Sequence, residues 1–501
     1  MSSFSRNVVT SGMERGVSAV LTLVIVPFQV RLLGMEAYGL LSFVTSLQVL
    51  CNILDLGLAP MIVREVAGDR GPERAHSATI VQTFSAVYWT IASLLAAGLF
   101  ASSSWLAGYW LRFETLPVAT VVLAIRLMAI SILLRWPVSL YAGSIAGIQR
   151  LDVVNMIRIA ASAVRLLGGL VILLASRSLV AYLLWLGFVA FLEVASYVVA
   201  LMRLMPVVSL RPRLSFSTIK KVWRYSIHMN LISVLSVVFV QSDRLIISRF
   251  LSVTELGYYS LAYNIVSGLS VIPTVLTTAL FPQLAQDMSL GKTNEIRSRC
   301  DIAVQLLMYA VAGAGCVLVF FGRDILWWIS ADGAMRAYRP MVLLAGGFVL
   351  AAAIAVPYTL SVAAGETRVP LLVNLAAVVV YVPMVYGLVR AWGITGAACA
   401  WLALNTYYLL VMVPLMQRHV PMRSTSAWFA RNVAPFLLSG LVLIGGTARI
   451  LGIGTLRQDI AAAAVGCVLY GLLAALFVDS SVRHHVRRWI GGEVRLREVP
   501  L

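Results

Sequence analysis

Six arginines and four carboxylates stand inside stretches of sequence that are otherwise apolar: Arg15, Arg126, Arg135, Arg158, Arg165 and Arg244 against Glu14, Asp55, Glu193 and Asp243. A guanidinium offers a planar fork of N–H donors that matches the oxygens of a phosphate or carboxylate. A carboxylate in the same surroundings balances an arginine or takes up and releases a proton. With cations in excess, the set supports recognition of an anion, the acids serving as ion-pair partners or coupling groups. The other reactive side chains add no chemistry. Cys51, Cys300, Cys316, Cys399 and Cys467 are scattered without C-x-x-C spacing, and the adjacent His484 and His485 lie in a basic tail with no metal-ligand frame. The expectation is therefore no disulfide, no metal and no cofactor.

Spacing sorts these groups. Arg126 falls about nine residues into its apolar segment, near mid-depth at about 1.5 Å per residue. Arg158 and Arg165, seven apart, share one helical face, whereas Arg135, nine from Arg126, points to the opposite side of the helix. Arg126 and Arg165 are candidates for lining a cavity, with a structural ion pair as the alternative. Arg135 and Arg158 are placed to snorkel to the membrane interface. Acid and arginine adjoin twice, at Glu14-Arg15 and Asp243-Arg244. Helical neighbours about 100° apart do not face each other, so each is expected to find its partner on another helix, for structure or for coupling. Glu193, alone on its segment, can balance an arginine of the preceding one, and Asp55, before Leu56-Gly57, suits a cap or an interfacial position. Gly12-x-x-x-Gly16 and Gly143-x-x-x-Gly147 suit close helix contacts.

The elements that must hold these groups follow from composition. Of 501 residues, 60% are hydrophobic and 12% charged, with mean hydropathy +0.91, far from a soluble chain. This is an integral membrane protein of all-α class. Fourteen segments satisfy the requirement of about 20 mainly apolar residues for a spanning helix, from 8–30 at one end to 460–478 at the other. The first reads as a retained helix rather than a cleaved signal. Connections are too short for an extramembrane catalytic domain. The formal charge of +18 comes largely from 36 arginines. Of the 39 basic residues, 23 fall in the termini and even-numbered connections and 10 in the odd ones, which places both termini in the cytoplasm by the positive-inside rule. The basic residues therefore need no nucleic acid to explain them. Their strongest cluster, in the sixth connection, holds Arg203, Arg211, Arg213, Lys220, Lys221 and Arg224 and suits anionic membrane lipids.

A repeat organises the segments. Arg31-Leu-Leu-Gly-Met-Glu-Ala-Tyr-Gly-Leu-Leu-Ser42 aligns with Arg249-Phe-Leu-Ser-Val-Thr-Glu-Leu-Gly-Tyr-Tyr-Ser260 at a constant offset of 218, with identities at Arg31/Arg249, Leu33/Leu251, Gly39/Gly257 and Ser42/Ser260, and upstream at Arg6/Arg224. Skipping six helices keeps both copies in one orientation. The expected architecture is two parallel six-helix lobes, 1–201 and 226–416, joined by a basic cytoplasmic linker over 202–225 and followed by two more helices and a basic tail over 417–501. Parallel repeats around a cavity are a transporter plan.

These residues also carry a resemblance. Arg31-Leu-Leu-Gly with Tyr38-Gly39, Asp55-Leu-Gly-Leu, Arg64-Glu-Val-Ala67, Asp243-Arg244, Leu256-Gly-Tyr-Tyr-Ser-Leu-Ala-Tyr263, Leu280-Phe-Pro-Gln-Leu284, Gly365-Glu-Thr-Arg368 and Gly393-Ile-Thr-Gly-Ala397 resemble the polysaccharide transporter family. Its members are the O-antigen flippases of the multidrug/oligosaccharidyl-lipid/polysaccharide (MOP) exporter superfamily. The similarity runs from the N-terminus to about residue 416. It implies a protein of the bacterial inner membrane, not an enzyme, that moves an undecaprenyl-diphosphate-linked oligosaccharide of O-antigen, capsule or exopolysaccharide from the cytoplasmic to the periplasmic leaflet. Alternating access and coupling to H+ or Na+ are part of the implication, as are partners in glycan polymerase and chain-length machinery. The residues so implicated are Arg126 and Arg165 toward diphosphate or acidic sugars, Arg15 and Arg244 as further cavity arginines, and Glu14, Glu193 and Asp243 in coupling or ion pairing. A lipid II flippase or a multidrug/cation antiporter of the same superfamily stands as the alternative, although an antiporter for cations should offer carboxylates. A membrane glycosyltransferase or glycan polymerase would need a substantial loop or a carboxylate pair.

Overall fold

The computed structural model describes residues 24–55, 58–69, 75–206, 237–451 and 456–478, and the described residues contain helices and turns but no strand. Glu14, Arg15 and all of the basic sixth connection beyond residue 206 lie outside them. The chain divides into two compact units, Met1–Ser260 and Leu261–Leu501.

The first unit contains α1 (Val24–Leu33), α2 (Met35–Cys51), a 3-10 turn (Asn52–Asp55), α3 (Leu58–Gly68), α4 (Ala75–Trp105), α5 (Val118–Arg135), α6 (Val138–Gly147), α7 (Leu151–Ala163), α8 (Gly169–Ser176) and α9 (Leu179–Leu204). It closes with α10 (residues 237–250) and the start of α11 (Val253–Ser267). Local chemistry sets several ends. Pro117 and Pro137 precede α5 and α6, and the Ser178 hydroxyl caps α9 by accepting from the Ala181 N–H. The span expected over 38–63 is not one helix: it breaks at the 3-10 turn, where Asp55 accepts a hydrogen bond from the Tyr88 hydroxyl. Ile62, Phe84, Tyr88, Leu140, Tyr141 and Tyr197 lie at the heart of the packed interior. Their polar ends are paired: Tyr141 with Ser85 at 3.0 Å and with Trp89 Nε1 at 2.9 Å, and Tyr197 to the Val154 carbonyl at 3.1 Å. Helices α3 and α6 approach closely where the sequence reads Gly143-x-x-x-Gly147; a Cβ on Gly147 would lie 2.7 Å from Val66 Cβ.

The second unit continues through α12 (Val271–Ser289), α13 (Thr293–Phe320), α14 (Gly322–Ser330), α15 (Tyr338–Ala363), α16 (Arg368–Tyr407), α17 (Val413–Gln417), α18 (Thr425–Asn432), α19 (Ala434–Leu451) and α20 (Leu456–Ala474). Its 40-residue α16 is a hairpin: Gly393 has φ 59° and ψ −141°, a region open to glycine alone, and the chain folds back so tightly that a Cβ on Gly396 would meet the Leu388 carbonyl oxygen. The Gly393-Ile-Thr-Gly-Ala397 motif is thus the turn between two spans. A buried polar chain ties α13 to the segment leading into α19. Asp301 accepts from Arg423 Nε at 3.0 Å and from Asn432 Nδ2 at 2.7 Å, and Gln305 donates to Asn432 Oδ1 at 2.9 Å.

Among the described residues nine helices are long and apolar enough to cross a membrane, and Val24–Leu33, Met35–Cys51 and Gln458–Ala474 are shorter apolar pieces. Large hydrophobic side chains such as Val171, Leu184, Val379, Val442 and Leu472 face outward, while hydroxyls, amides and carboxylates pair inside. Apolar outside and polar within is the arrangement lipid requires of a multi-pass protein.

Candidate functional site

Helix α5 supplies two arginines to opposite sides, as their spacing of nine requires. On one side Arg126 Nε donates to Ser103 Oγ at 3.1 Å, and its guanidinium carbon lies 4.7 Å from the Phe100 ring centre, both partners being on α4. On the other side Arg135 Nε approaches Glu193 Oε2 of α9 at 3.7 Å. The same oxygen accepts from Arg165 Nη2 at 3.0 Å.

Arg165 reaches that position from an irregular turn. Residues Val164–Gly168 between α7 and α8 are π-helical, which inserts an extra residue into the turn and rotates the side chains that follow. Such bulges concentrate at functional sites. The indole of Trp185 packs where a Gly168 Cβ would be, 2.1 Å from its nearest ring atom. The cluster is largely shielded: the Glu193 side chain is 8% exposed, Arg165 24% and Arg135 32%. Among the described residues two guanidinium groups share one carboxylate, which leaves one positive charge in excess within the cluster. Each also retains N–H donors beyond those Glu193 engages.

The expected balance of Glu193 by an arginine of the fifth span is therefore present, in Arg165. Arg135, expected to snorkel, instead joins the same carboxylate, while Arg126 belongs to a different contact. Arg158 is exposed on α7. Asp243, fully buried, accepts from the Tyr259 hydroxyl of α11 and from the Arg244 backbone N–H, so this acid does find its partner on another helix; Arg244 is buried beside it. Glu14 and Arg15 fall outside the described residues. One further carboxylate escaped the sequence reading. Glu36, in the first turn of α2 and buried, accepts from the backbone N–H groups of Glu114, Thr115 and Leu116, at 2.5, 2.9 and 2.9 Å, and from the Thr115 hydroxyl. Its only sequence signal is an acid at a helix start.

The two aligned motifs meet each other. The Ser42 hydroxyl bonds to the Ser260 hydroxyl, its own counterpart 218 residues on. A Cβ on Gly39 would lie 2.0 Å from the Val253 carbonyl oxygen and one on Gly257 would lie 2.5 Å from the Met35 carbonyl oxygen. Met35 and Val253 are themselves counterparts at that offset, so the crossing of α2 and α11 is pseudo-symmetric, and the glycines permit it.

Residues 4–288 match the family described as Polysaccharide biosynthesis protein. The chain belongs to this family. The match stops short of the resemblance read to about residue 416, but a Shigella flexneri protein whose name assigns it to O-antigen transport is 24% identical over 391 residues, 76% of this chain and 91% of that protein. Solved structures share the fold of this chain, two of them as follows. One is the lipid II flippase MurJ in an inward closed conformation, with TM-score 0.72, 11% identity and coverage of 96% of this chain and 100% of that one. The other is an inward-facing multidrug resistance transporter of the MATE family in the MOP superfamily, with TM-score 0.65, 12% identity and coverage of 82% and 96%. These relatives are named as transporters and flippases, and the expected MOP exporter fold is the one observed.

Proposed function

We propose that the protein is a flippase for an undecaprenyl-diphosphate-linked oligosaccharide, moving it from the cytoplasmic to the periplasmic leaflet by alternating access. The observation that carries this reading is the Arg135–Glu193–Arg165 cluster, which leaves an uncompensated positive charge within helices of spanning length. A diphosphate arriving there meets two pre-positioned guanidinium forks and adds the anion that the cluster lacks. Arg126, Arg244 and Arg15 extend the cationic surface available to the headgroup and acidic sugars. Glu193, Asp243 and Glu14 are the groups through which a proton or Na+ gradient acts. Glu193 is the most direct, since its release from the arginines is the counterpart of cargo binding. The arrangement is fourteen helices in two six-helix lobes, 1–201 and 226–416, with two further helices after them, and with both termini cytoplasmic; the basic count of the even connections and the offset of 218 support it.

The test is a deletion strain. Lipid-linked repeat units should accumulate in the inner leaflet and surface glycan should disappear, and the wild-type gene should reverse both. A strain that exports its glycan normally without the gene refutes the reading. The likeness to MurJ favours one second reading with the same diphosphate chemistry, transport of lipid II. Rescue of cells depleted of their lipid II flippase would select it.

A further inference from the structure

We propose that the hydroxyl-bearing face of α12 is the surface along which the sugars of the cargo are held. This deepens the flippase reading and rests on it for the identity of the cargo. Helices α11 and α12 run together through a 3-10 turn (Gly268–Ser270) as one apolar stretch long enough to cross a membrane. Three sides of α12 differ in chemistry. Pro273, Leu280 and Leu284 are buried. Ile272, Val275 and Ala279, spaced by three and four, are exposed and share one face, which suits lipid. Ser270, Thr274 and Thr278, spaced by four, are exposed as well and share another face, about 100° round from Val275. Ser267, half-buried, extends it toward α11. Outward positions elsewhere in the unit, such as Leu372, Val379 and Val442, are apolar, so an exposed face of hydroxyls calls for an occupant other than lipid.

The hydrogen bonds say what kind of occupant. Each of the four hydroxyls donates to a backbone carbonyl three or four residues earlier: Ser267 to Asn264 at 2.9 Å, Ser270 to Ser267 at 2.6 Å, Thr274 to Ser270 at 2.7 Å and Thr278 to Thr274 at 2.7 Å. With its proton so used, each oxygen is left as an acceptor. No charged residue stands between Leu261 and Gln286, so the face has no ionic hold on a phosphate or a cation. An uncharged row of acceptors matches a ligand rich in O–H donors, as a sugar is. The rings at the α11 end fit the same ligand. Tyr263, one turn before Ser267, meets Trp401 of α16 with ring centres 6.4 Å apart and Phe348 of α15 at 5.5 Å. Gly347 makes room for the indole, since a Cβ there would lie 2.5 Å from it. Tyr263 and Trp401 are half-buried, and Trp401 Nε1 finds no acceptor among the described residues. A partly open ring packs against the C–H face of a sugar, and an unpaired indole N–H is a donor for a sugar oxygen. From Tyr263 to Thr278 the row spans about 22 Å at about 1.5 Å per residue, most of a hydrocarbon thickness of about 30 Å.

Two measurements test the face. Ser270→Ala, Thr274→Val and Thr278→Val together remove three hydroxyls with little change of volume, and Val275→Ala, on the exposed apolar face, is the control. At matched protein levels the triple variant should lower glycan export at least tenfold while the control stays at the wild-type level. In purified protein, native mass spectrometry compares undecaprenyl diphosphate bearing the host's repeat unit with bare undecaprenyl diphosphate. The wild type should retain the glycan-bearing lipid at least fivefold better. The triple variant, like Trp401→Leu, should lose that preference while holding the bare lipid as before, and Thr274→Ser with Thr278→Ser, which puts two hydroxyls back, should recover it. Full export or an unaltered preference in the triple variant would overturn the proposal. So would an equal loss of both lipids, which would make the hydroxyls structural, or equal retention of both by the wild type, which would leave the face to water. If the deletion strain exports normally, the flippase reading falls and the binding comparison still decides the glycan face.

Discussion

Replacing Arg165 with alanine tests whether the arginine cluster binds cargo or merely joins helices. The substitution removes the Nη2–Oε2 contact of 3.0 Å and leaves Glu193 with Arg135 at 3.7 Å, so the cluster goes from one excess positive charge to none. Because the carboxylate keeps a counter-ion, the structural loss should be about 1 kcal/mol, below the 3–5 kcal/mol expected when a buried charge is orphaned. Hydrogen bonds to charged groups contribute about 1.5–3 kcal/mol each. At about 1.4 kcal/mol per decade, losing one to the diphosphate should weaken binding about 10- to 150-fold. The measurement is binding of undecaprenyl diphosphate to purified protein together with glycan export at matched expression. Arg165→Lys separates the two roles. It keeps a cation beside Glu193 and should keep thermal stability, but it gives up the planar donor fork and should leave export impaired. If Arg165→Ala exports fully, or if Arg165→Lys keeps export along with stability, the cluster is structural and the reasoning is wrong.

Three other outcomes follow from the packing. In a background with the five native cysteines replaced, Ser42→Cys with Ser260→Cys should form a disulfide on mild oxidation, because hydroxyls in hydrogen-bond contact place their Cβ atoms within bridging reach; export should stop on oxidation and return with reductant, and failure to crosslink would mean that the motif crossing is not populated in the membrane. Glu36→Ala strips the acceptor from three backbone N–H groups and should cost about 3 kcal/mol, seen as a clear fall in Tm in detergent, whereas an unchanged Tm would show that water satisfies those donors. Asp301→Ala orphans Arg423 and Asn432 and should lower Tm by a comparable amount, with Asp301→Asn intermediate because its single amide oxygen still accepts from one of the two donors; a wild-type Tm in Asp301→Asn would deny the ionic part of that network.

How much of this was legible in the sequence depended on whether the signal was local. Helical periodicity sent Arg126 and Arg135 to opposite faces correctly, and the isolation of Glu193 suggested an arginine of the preceding span as its partner. Arg135 was misread because its depth resembled that of a snorkelling residue, and nothing in one sequence says which helix stands opposite. The π turn at Val164–Gly168 was invisible for a related reason, since a period of 3.6 is assumed before any face is assigned. Gly393 was recognisable as part of a loop motif, although not as a turn so tight that the two spans run into one apparent helix. Glu36 and Asp301 take partners 78 and 122 residues away, a separation at which polar residues in an apolar chain carry no pairing information of their own.

The pairing of Ser42 with Ser260, and of each glycine with the backbone of the opposite copy, has the form of an isologous interface, in which residue i meets j as j meets i. Two identical subunits would make such a contact about a two-fold axis and would hold it only as long as their concentration allowed. Within one chain the association is unimolecular, governed by an effective concentration that the connecting residues fix. The contact can therefore be weak enough to open and still re-form every time, independent of how many copies of the protein the membrane contains.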